Sequence, residues 1–175
     1  MAKSESSEWI NKNLPISNID SEEFVEVRNF MILWNLFESR LFNCDFGQNK
    51  RNIDKIRLEP DIVNQTLQYL TERYTENNNI NFRFKYLKFR YRQKECKNDC
   101  GCDDSRNCDY KFVKRILLHG SDDSSETIKA IILIIYRYRN NLFHGEKEID
   151  LLPNQAEGFI RANKFLIACL DANRK

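Results

Sequence analysis

Apolar residues recur at steps of three and four along most of this chain, and that rhythm predicts a series of helices. Between Ser21 and Asn43 the positions Phe24, Val27, Phe30, Met31, Trp34, Phe37 and Leu41 form one continuous stripe. Asp20 or Ser21 is placed to cap the start, Glu22 and Glu23 suit the positive end of the helix dipole, and Gly47 follows the end. A second helix is expected from about Pro60 to Tyr74, where Ile62, Leu67, Leu70 and Tyr74 keep the spacing. Pro60 fits its first turn, and Asn77, Asn78 and Asn79 break the pattern. Phe112, Val113, Ile116 and Leu117 predict a short helix ended by Gly120, with Ser124 or Ser125 as the cap of the next. That next helix, Glu126 to about Phe143, is apolar on nearly every side, as befits the centre of a bundle. Gly145 is its natural terminator, and after Pro153 a last amphipathic helix carries Ala156, Phe159, Ile160, Phe165, Leu166 and Cys169.

Two stretches depart from this rhythm. From Phe82 to Lys97 aromatic and basic residues alternate, and the pattern fits a strand through Phe82, Phe84 and Tyr86 or a helix through Phe82, Tyr86 and Phe89; the helix is the preferred reading. The segment KECKNDCGCDDSRNCD is polar and reads as a loop. Met1 to Asp20 is polar with scattered Trp9, Ile10, Leu14 and Ile16, and is expected to be a partly docked arm. The expected architecture is an all-α bundle of about five helices, one domain over residues 21–175, with a long loop insertion before the most apolar helix.

With 175 residues the chain suits a single core that buries about 70% of its unfolded surface. No stretch approaches the ~18 uninterrupted apolar residues of a membrane span, and no apolar leader follows the start, so a cytoplasmic protein is expected. The net charge of +2 is too small to attract polyanions by itself, so any such attraction must come from local clustering. Arg83, Lys85, Lys88, Arg90 and Arg92 supply that cluster among the aromatic residues, with Lys94 and Lys97 beyond them and Glu95 as the one opposing charge. Cations that neutralise phosphates beside rings that stack on bases suit single-stranded RNA; a solvated basic face whose rings pack inward is the other reading. Neither a phosphate-binding glycine loop nor a dinucleotide fingerprint is present.

Six cysteines without a leader point to thiols or metal ligands instead of disulfides. Cys96, Cys100, Cys102 and Cys108 could hold a structural zinc, although thirteen residues is a tight span for four ligands and free thiols are the alternative. Cys44 and Cys169 are expected in the core.

The most informative residues end the apolar helix: Arg137, Arg139, Asn140 and Asn141, followed by His144. Polar groups entering an apolar helix cost desolvation unless partners await them, and such places often carry function. Asn140 and His144 are four residues apart and share a face, so the amide can fix the imidazole tautomer. Arg139 lies about 140° around the axis from His144, whereas Arg137 returns to nearly the same face. An imidazole at a helix C-terminus favours its charged form, as a general acid requires. The alternative is an arginine paired with a carboxylate and a histidine that caps carbonyls. Glu38, in WNLFESR, is a candidate acidic partner for one of the arginines.

Arg139-Asn140-Asn141-Leu142-Phe143-His144, preceded by YRY and followed by GEK, resembles the R-x4-6-H signature of HEPN domains. The all-α pattern and the aromatic first helix extend the likeness from Ser21 to the C-terminus. The resemblance implies a helical bundle that pairs with a second copy, so that two motifs share one cleft and cut RNA without a metal. It implies that Arg139 binds phosphate, His144 serves as acid or base, and Asn140 assists, with Arg137 and Asn141 as auxiliaries. A toxin or phage-defence effector is the expected role, with a protein antitoxin as a candidate partner; the alternative is an inactive module that binds RNA, a nucleotide or a protein. Some members are silenced through a tyrosine two places after the histidine; here Glu146 stands there, which argues against that control.

Overall fold

The computed structural model describes residues 12, 22–91, 94–95, 108–143 and 155–173. The expected arm apart from Lys12, the caps at Asp20 and Ser21, and Gly145 lie outside these residues.

The chain folds as an all-α bundle. Helix α1 (Glu22–Phe42) is followed by a one-turn helix α2 (Phe46–Asn49), a 3-10 helix (Lys50–Lys55) and α3 (Pro60–Tyr74). Two residue pairs, β1 (Thr75–Glu76) and β2 (Asn79–Ile80), form an antiparallel hairpin ahead of the short helix α4 (Phe82–Lys85). A second small ladder joins β3 (Arg90–Tyr91) to β4 (Lys94–Glu95). Helices α5 (Asp109–His119), α6 (Ser124–Phe143) and α7 (Ala156–Ala172) complete the bundle. Its longest contact runs between α1 and α7, while α6 packs against α3, α5 and the 3-10 helix.

The buried face of α1 consists of Val27, Phe30, Trp34 and Phe37, as their spacing requires. The helix stops where Asn43 and Cys44 take positive φ angles of 49° and 62°, and the Cys44 amide turns back to the Glu38 carbonyl. This reversal points Cys44 into solvent, so the expectation that it joins the core is corrected; Cys169 is buried as expected. The turn delivers Phe42 and Phe46 to the core, where their rings lie 4.9 Å apart and Phe46 meets Tyr136 of α6 at 4.6 Å. Trp34 packs on Phe46 and Tyr136 at 5.5 and 5.7 Å. Each such pair adds about 0.5–1.5 kcal/mol beyond burial. The short α2 therefore acts as an aromatic plug between α1 and α6, an element too short for periodicity to reveal.

In α3 the buried residues are Val63, Thr66, Leu70 and Tyr74, with Ile62 and Leu67 only partly covered. Thr66 can take a core position because its hydroxyl donates to the Ile62 carbonyl at 2.7 Å. The asparagine run after α3 does more than break the helix. Asn77 and Asn78 both have positive φ (50° and 59°), the backbone of a two-residue hairpin loop, and asparagine tolerates that region better than most residues. Asn81 then accepts from the Arg83 and Phe84 amides and donates to the Arg73 carbonyl, which ties the start of α4 to the end of α3. At the far end of the bundle α5 closes on Gly120 (φ 69°), and Asp123, not Ser124 or Ser125, caps α6 by accepting the Ser125 amide. Glu126 locks this turn by accepting from Ser121 at 2.7 Å and Arg115 at 2.9 Å.

The α1–α7 contact contains one polar latch. The Asn163 amide nitrogen donates to the Glu26 carbonyl (3.0 Å) and carboxylate (2.7 Å), although Asn163 is only 4% exposed. Replacing Asn163 with Ala strands these acceptors and should cost about 1–3 kcal/mol in urea unfolding. Asn163→Asp should cost more at neutral pH, because two carboxylates then face each other, and should recover part of the loss on acidification, beginning above the ordinary carboxylate range because proximity and burial favour a shared proton. Equal stability of all three proteins would show that the latch contributes nothing.

Candidate functional site

Helix α6 is enclosed nearly all round, with residues 130–135 buried without interruption, as its sequence requires. Apart from Thr127 in the first turn, the buried polar side chains of this helix lie near its C-terminal end. Arg137 is 9% exposed, Asn140 6% and Asn141 2%, and their locations separate the motif residues into two groups.

Arg137 and Asn141, one turn apart, face the segment that follows α4. Nε of Arg137 donates to the Leu87 carbonyl at 2.7 Å, and the Asn141 amide nitrogen donates to the Tyr86 carbonyl at 3.0 Å. Nη2 of Arg137 also donates to the Asn141 side-chain oxygen at 3.4 Å, so the two side chains brace each other. Carbonyls 86 and 87 follow the short α4, where no continuing helix offers them the usual amides. Buried donors from α6 take that place. Arg139 and Asn140 form the second group: Nη1 of the half-buried Arg139 donates to the Asn140 side-chain oxygen at 3.1 Å. His144 lies outside the described residues.

The basic aromatic segment is not the helix expected over Phe82 to Lys97. It is one turn of helix, a reversal in which Lys88 takes φ 49°, and a two-residue ladder. The reason lies in the side chains. Phe84, Leu87 and Phe89 turn inward, with Phe84 stacking at 5.4 Å on Phe89 and 5.3 Å on Tyr110 of α5. A continuous helix cannot bring 84, 87 and 89 to one side while leaving Tyr86 out, because 89 lies about 140° from 84. Phe82 and Tyr86 are exposed, as are Arg83 and Lys85, while Lys88 is half-buried. Exposed rings and inward-packing rings thus coexist in the segment. The strand β3 contains Arg90; its side chain and the whole of Arg92 lie outside the described residues.

Other candidates fall elsewhere. The Glu38 carboxylate accepts from the Trp34 indole and the Phe46 amide, both at 3.1 Å, so it holds α2 against α1 instead of meeting a motif arginine. Cys108 is buried at the start of α5, where its carbonyl accepts the Phe112 amide; Cys96, Cys100 and Cys102 lie outside the described residues. Among the described residues no cluster of three or more histidine, cysteine or acidic side chains is arranged to hold a metal ion. No helix among them is long and apolar enough to cross a membrane.

One group escaped the sequence reading. Tyr138, between the two arginines, is fully enclosed and shares a 2.8 Å hydrogen bond with Tyr74 of α3. Arg73 lies beside it, over the rings of Tyr69 and Tyr74. Burial pushes the Tyr138 and Tyr74 phenols above their usual range, Tyr138 the further. Burial opposes the charge on Arg73, yet the surrounding Tyr138, Tyr74 and Tyr69 lift its pKa overall. The alternation of tyrosine and arginine in YRYRNN was the available signal: successive residues of α6 serve different neighbours.

Comparison of the chain with protein-family models, with curated proteins and with solved structures finds no match.

Two outcomes follow from these contacts. Arg137→Ala should lose about 1.5–3 kcal/mol of stability in denaturant unfolding, because buried carbonyls lose a charged donor; Arg137→Lys, which lacks the fork, should recover little. A phenol whose folded pKa is raised contributes stability fully below its unfolded value near 10, and that contribution is lost as pH rises through the folded value. The melting temperature should therefore decline above about pH 10, and the pair Tyr74→Phe with Tyr138→Phe should flatten that decline. An unchanged alkaline profile in the double variant would assign the loss to other groups.

Proposed function

We propose that this protein is a metal-independent endoribonuclease of the HEPN type, working as a homodimer on single-stranded RNA and serving as a toxin or phage-defence effector. One observation carries the reading: the helix that bears Arg139 of the R-x4-H motif also grips the basic aromatic segment, through Arg137 to Leu87 and Asn141 to Tyr86. The candidate phosphate ligand Arg139 is thereby built on the same helix that anchors a surface suited to a nucleic-acid strand. In this reaction a base removes the proton of the ribose 2′-hydroxyl, the oxygen attacks the adjacent phosphorus, and the 5′-oxygen leaves as it accepts a proton. The products are a 2′,3′-cyclic phosphate and a 5′-hydroxyl.

In this proposal Arg139 balances the charge that develops on the phosphate oxygens, and Asn140, which accepts from Arg139, limits the rotation of its guanidinium. His144 supplies proton transfer, and the second copy supplies the second imidazole. Arg137 and Asn141 have a supporting role, because their donors are committed to the segment around Leu87. Zinc at the cysteine loop and a protein antitoxin remain parts of the proposal that the cleavage step does not require.

That commitment also favours a second reading, an inactive module of the same fold that binds RNA, a nucleotide or a protein. Incubation of the purified protein with RNA in EDTA separates the two. The nuclease reading expects cleavage by wild type, a loss of about 100-fold to 10,000-fold in His144→Ala and Arg139→Ala, and cyclic-phosphate ends. It also expects a dimer in sedimentation. Equal cutting by wild type and His144→Ala would refute it, and binding without turnover would establish the inactive module.

A further inference from the structure

The side chains after the asparagine hairpin are sorted in an unusual way. Phe84, Leu87 and Phe89 are buried, whereas Phe82 and Tyr86 are 63% and 67% exposed, the most exposed large apolar residues among those described. The two rings are neighbours, 6.2 Å apart and perpendicular, with the Arg83 guanidinium 5.8 Å from the Phe82 ring centre. A chain that has found places inside for three apolar residues of this segment leaves its two neighbouring rings in water. Exposed rings placed together mark a binding surface more often than isolated ones do.

The surroundings define what this surface suits. Arg83, Lys85 and Lys88 lie within the segment, and no carboxylate occurs between Ile80 and Tyr91. Cations beside open ring faces match the phosphates and bases of an unpaired strand, in which each base offers a face for stacking. A duplex hides those faces in its own stack. Protein interfaces tend to exclude lysine from their centres, which makes a protein the poorer fit.

The surface is also fixed in position. Tyr86 is held through its carbonyl by Asn141, and the next carbonyl is held by Arg137, both from the buried motif helix. Asn81 fixes the other end of α4. A ring placed on a rigid backbone loses little entropy when a base stacks on it.

We propose that Phe82 and Tyr86 form a stacking site for unpaired nucleobases, and that Arg137 and Asn141 are its positioning residues. The proposal rests on the reading that this chain binds RNA, but it is independent of whether the chain cleaves it. Rings supply the preference for single strands, Arg83 and Lys85 supply salt-dependent attraction, and α6 joins this site to the Arg139 end of the same helix.

Fluorescence anisotropy with a labelled oligouridylate tests the site, using the full chain carrying His144→Ala in EDTA so that no strand is consumed. The same measurement with an RNA duplex sets the comparison. The single strand should bind more tightly than the duplex. Phe82→Ala and Tyr86→Ala should each weaken strand binding by about five-fold to about 150-fold, with the salt dependence unchanged, and tryptophan at either position should restore it. Arg83→Ala with Lys85→Ala should instead flatten the salt dependence by about 0.7 for each phosphate no longer neutralised. Asn141→Ala should weaken the strand at constant salt slope although the exposed rings themselves are intact, a result that a purely electrostatic surface does not give. Strand affinity insensitive to both rings, absence of strand binding, or equal affinity for the duplex would overturn the stacking site. So would a protein ligand captured by wild type and released when the rings are removed, while RNA binding is absent. Cleavage by wild type that survives His144→Ala would remove the nuclease reading and leave this site standing, whereas ring-independent binding with intact cleavage would do the reverse.

Discussion

A guanidinium at the interior end of α6 is the constraint to which the neighbouring structure answers. Burying Arg137 means removing a charge from water, and such a burial is tolerable only when its donors find acceptors of good geometry. The carbonyl of Leu87 and the amide of Asn141 supply them. The requirement works in both directions, because the turn after α4 leaves carbonyls that its own helix does not satisfy. Arginine and turn are complementary deficits, and joining them decides where the chain leaves α4 and which rings face outward.

The rest of the bundle delivers α6 to that position. Aromatic contacts from Trp34 and Phe46 hold Tyr136 on one side, and the Tyr74–Tyr138 hydrogen bond holds the opposite side from α3. Phe159 of α7 packs on Tyr138 at 5.9 Å. Consecutive residues 136, 137, 138 and 139 therefore serve the α1–α2 plug, the basic segment, the α3–α7 side and the motif pair in turn. Each residue steps about 100° around the axis, so a run of four distributes its contacts over every neighbour.

The long helices were legible in the sequence because their spacing is regular over several turns: α1, α3, α6 and α7 lie close to where periodicity places them. Reading failed where a few residues decide. Cys44 was misplaced because a left-handed turn, invisible to hydropathy, overrides a cysteine's usual preference for the interior. Thr66 was missed as a core residue because its polarity is cancelled by a bond to its own helix. The Phe82–Lys97 stretch was ambiguous for a physical reason, since its rings serve two destinations and no single period describes both. Within the motif, the sequence brought Arg137, Arg139, Asn140 and Asn141 to notice by their cost of burial. It could not assign partners to them, because the Leu87 and Tyr86 carbonyls are about fifty residues away and backbone acceptors leave no mark in side-chain identity.

The enclosure of α6 has a consequence for how this protein can change. Residues on an exposed helix can drift without harming the fold, but α6 is enclosed nearly all round. Most substitutions along it alter the folded population before they alter any chemistry, and a loss of about one or two kcal/mol is enough to change cellular abundance several-fold. Damaging alleles in this helix should therefore show themselves mostly as scarce protein, and the buried Arg137, Asn140 and Asn141 at its end are no exception.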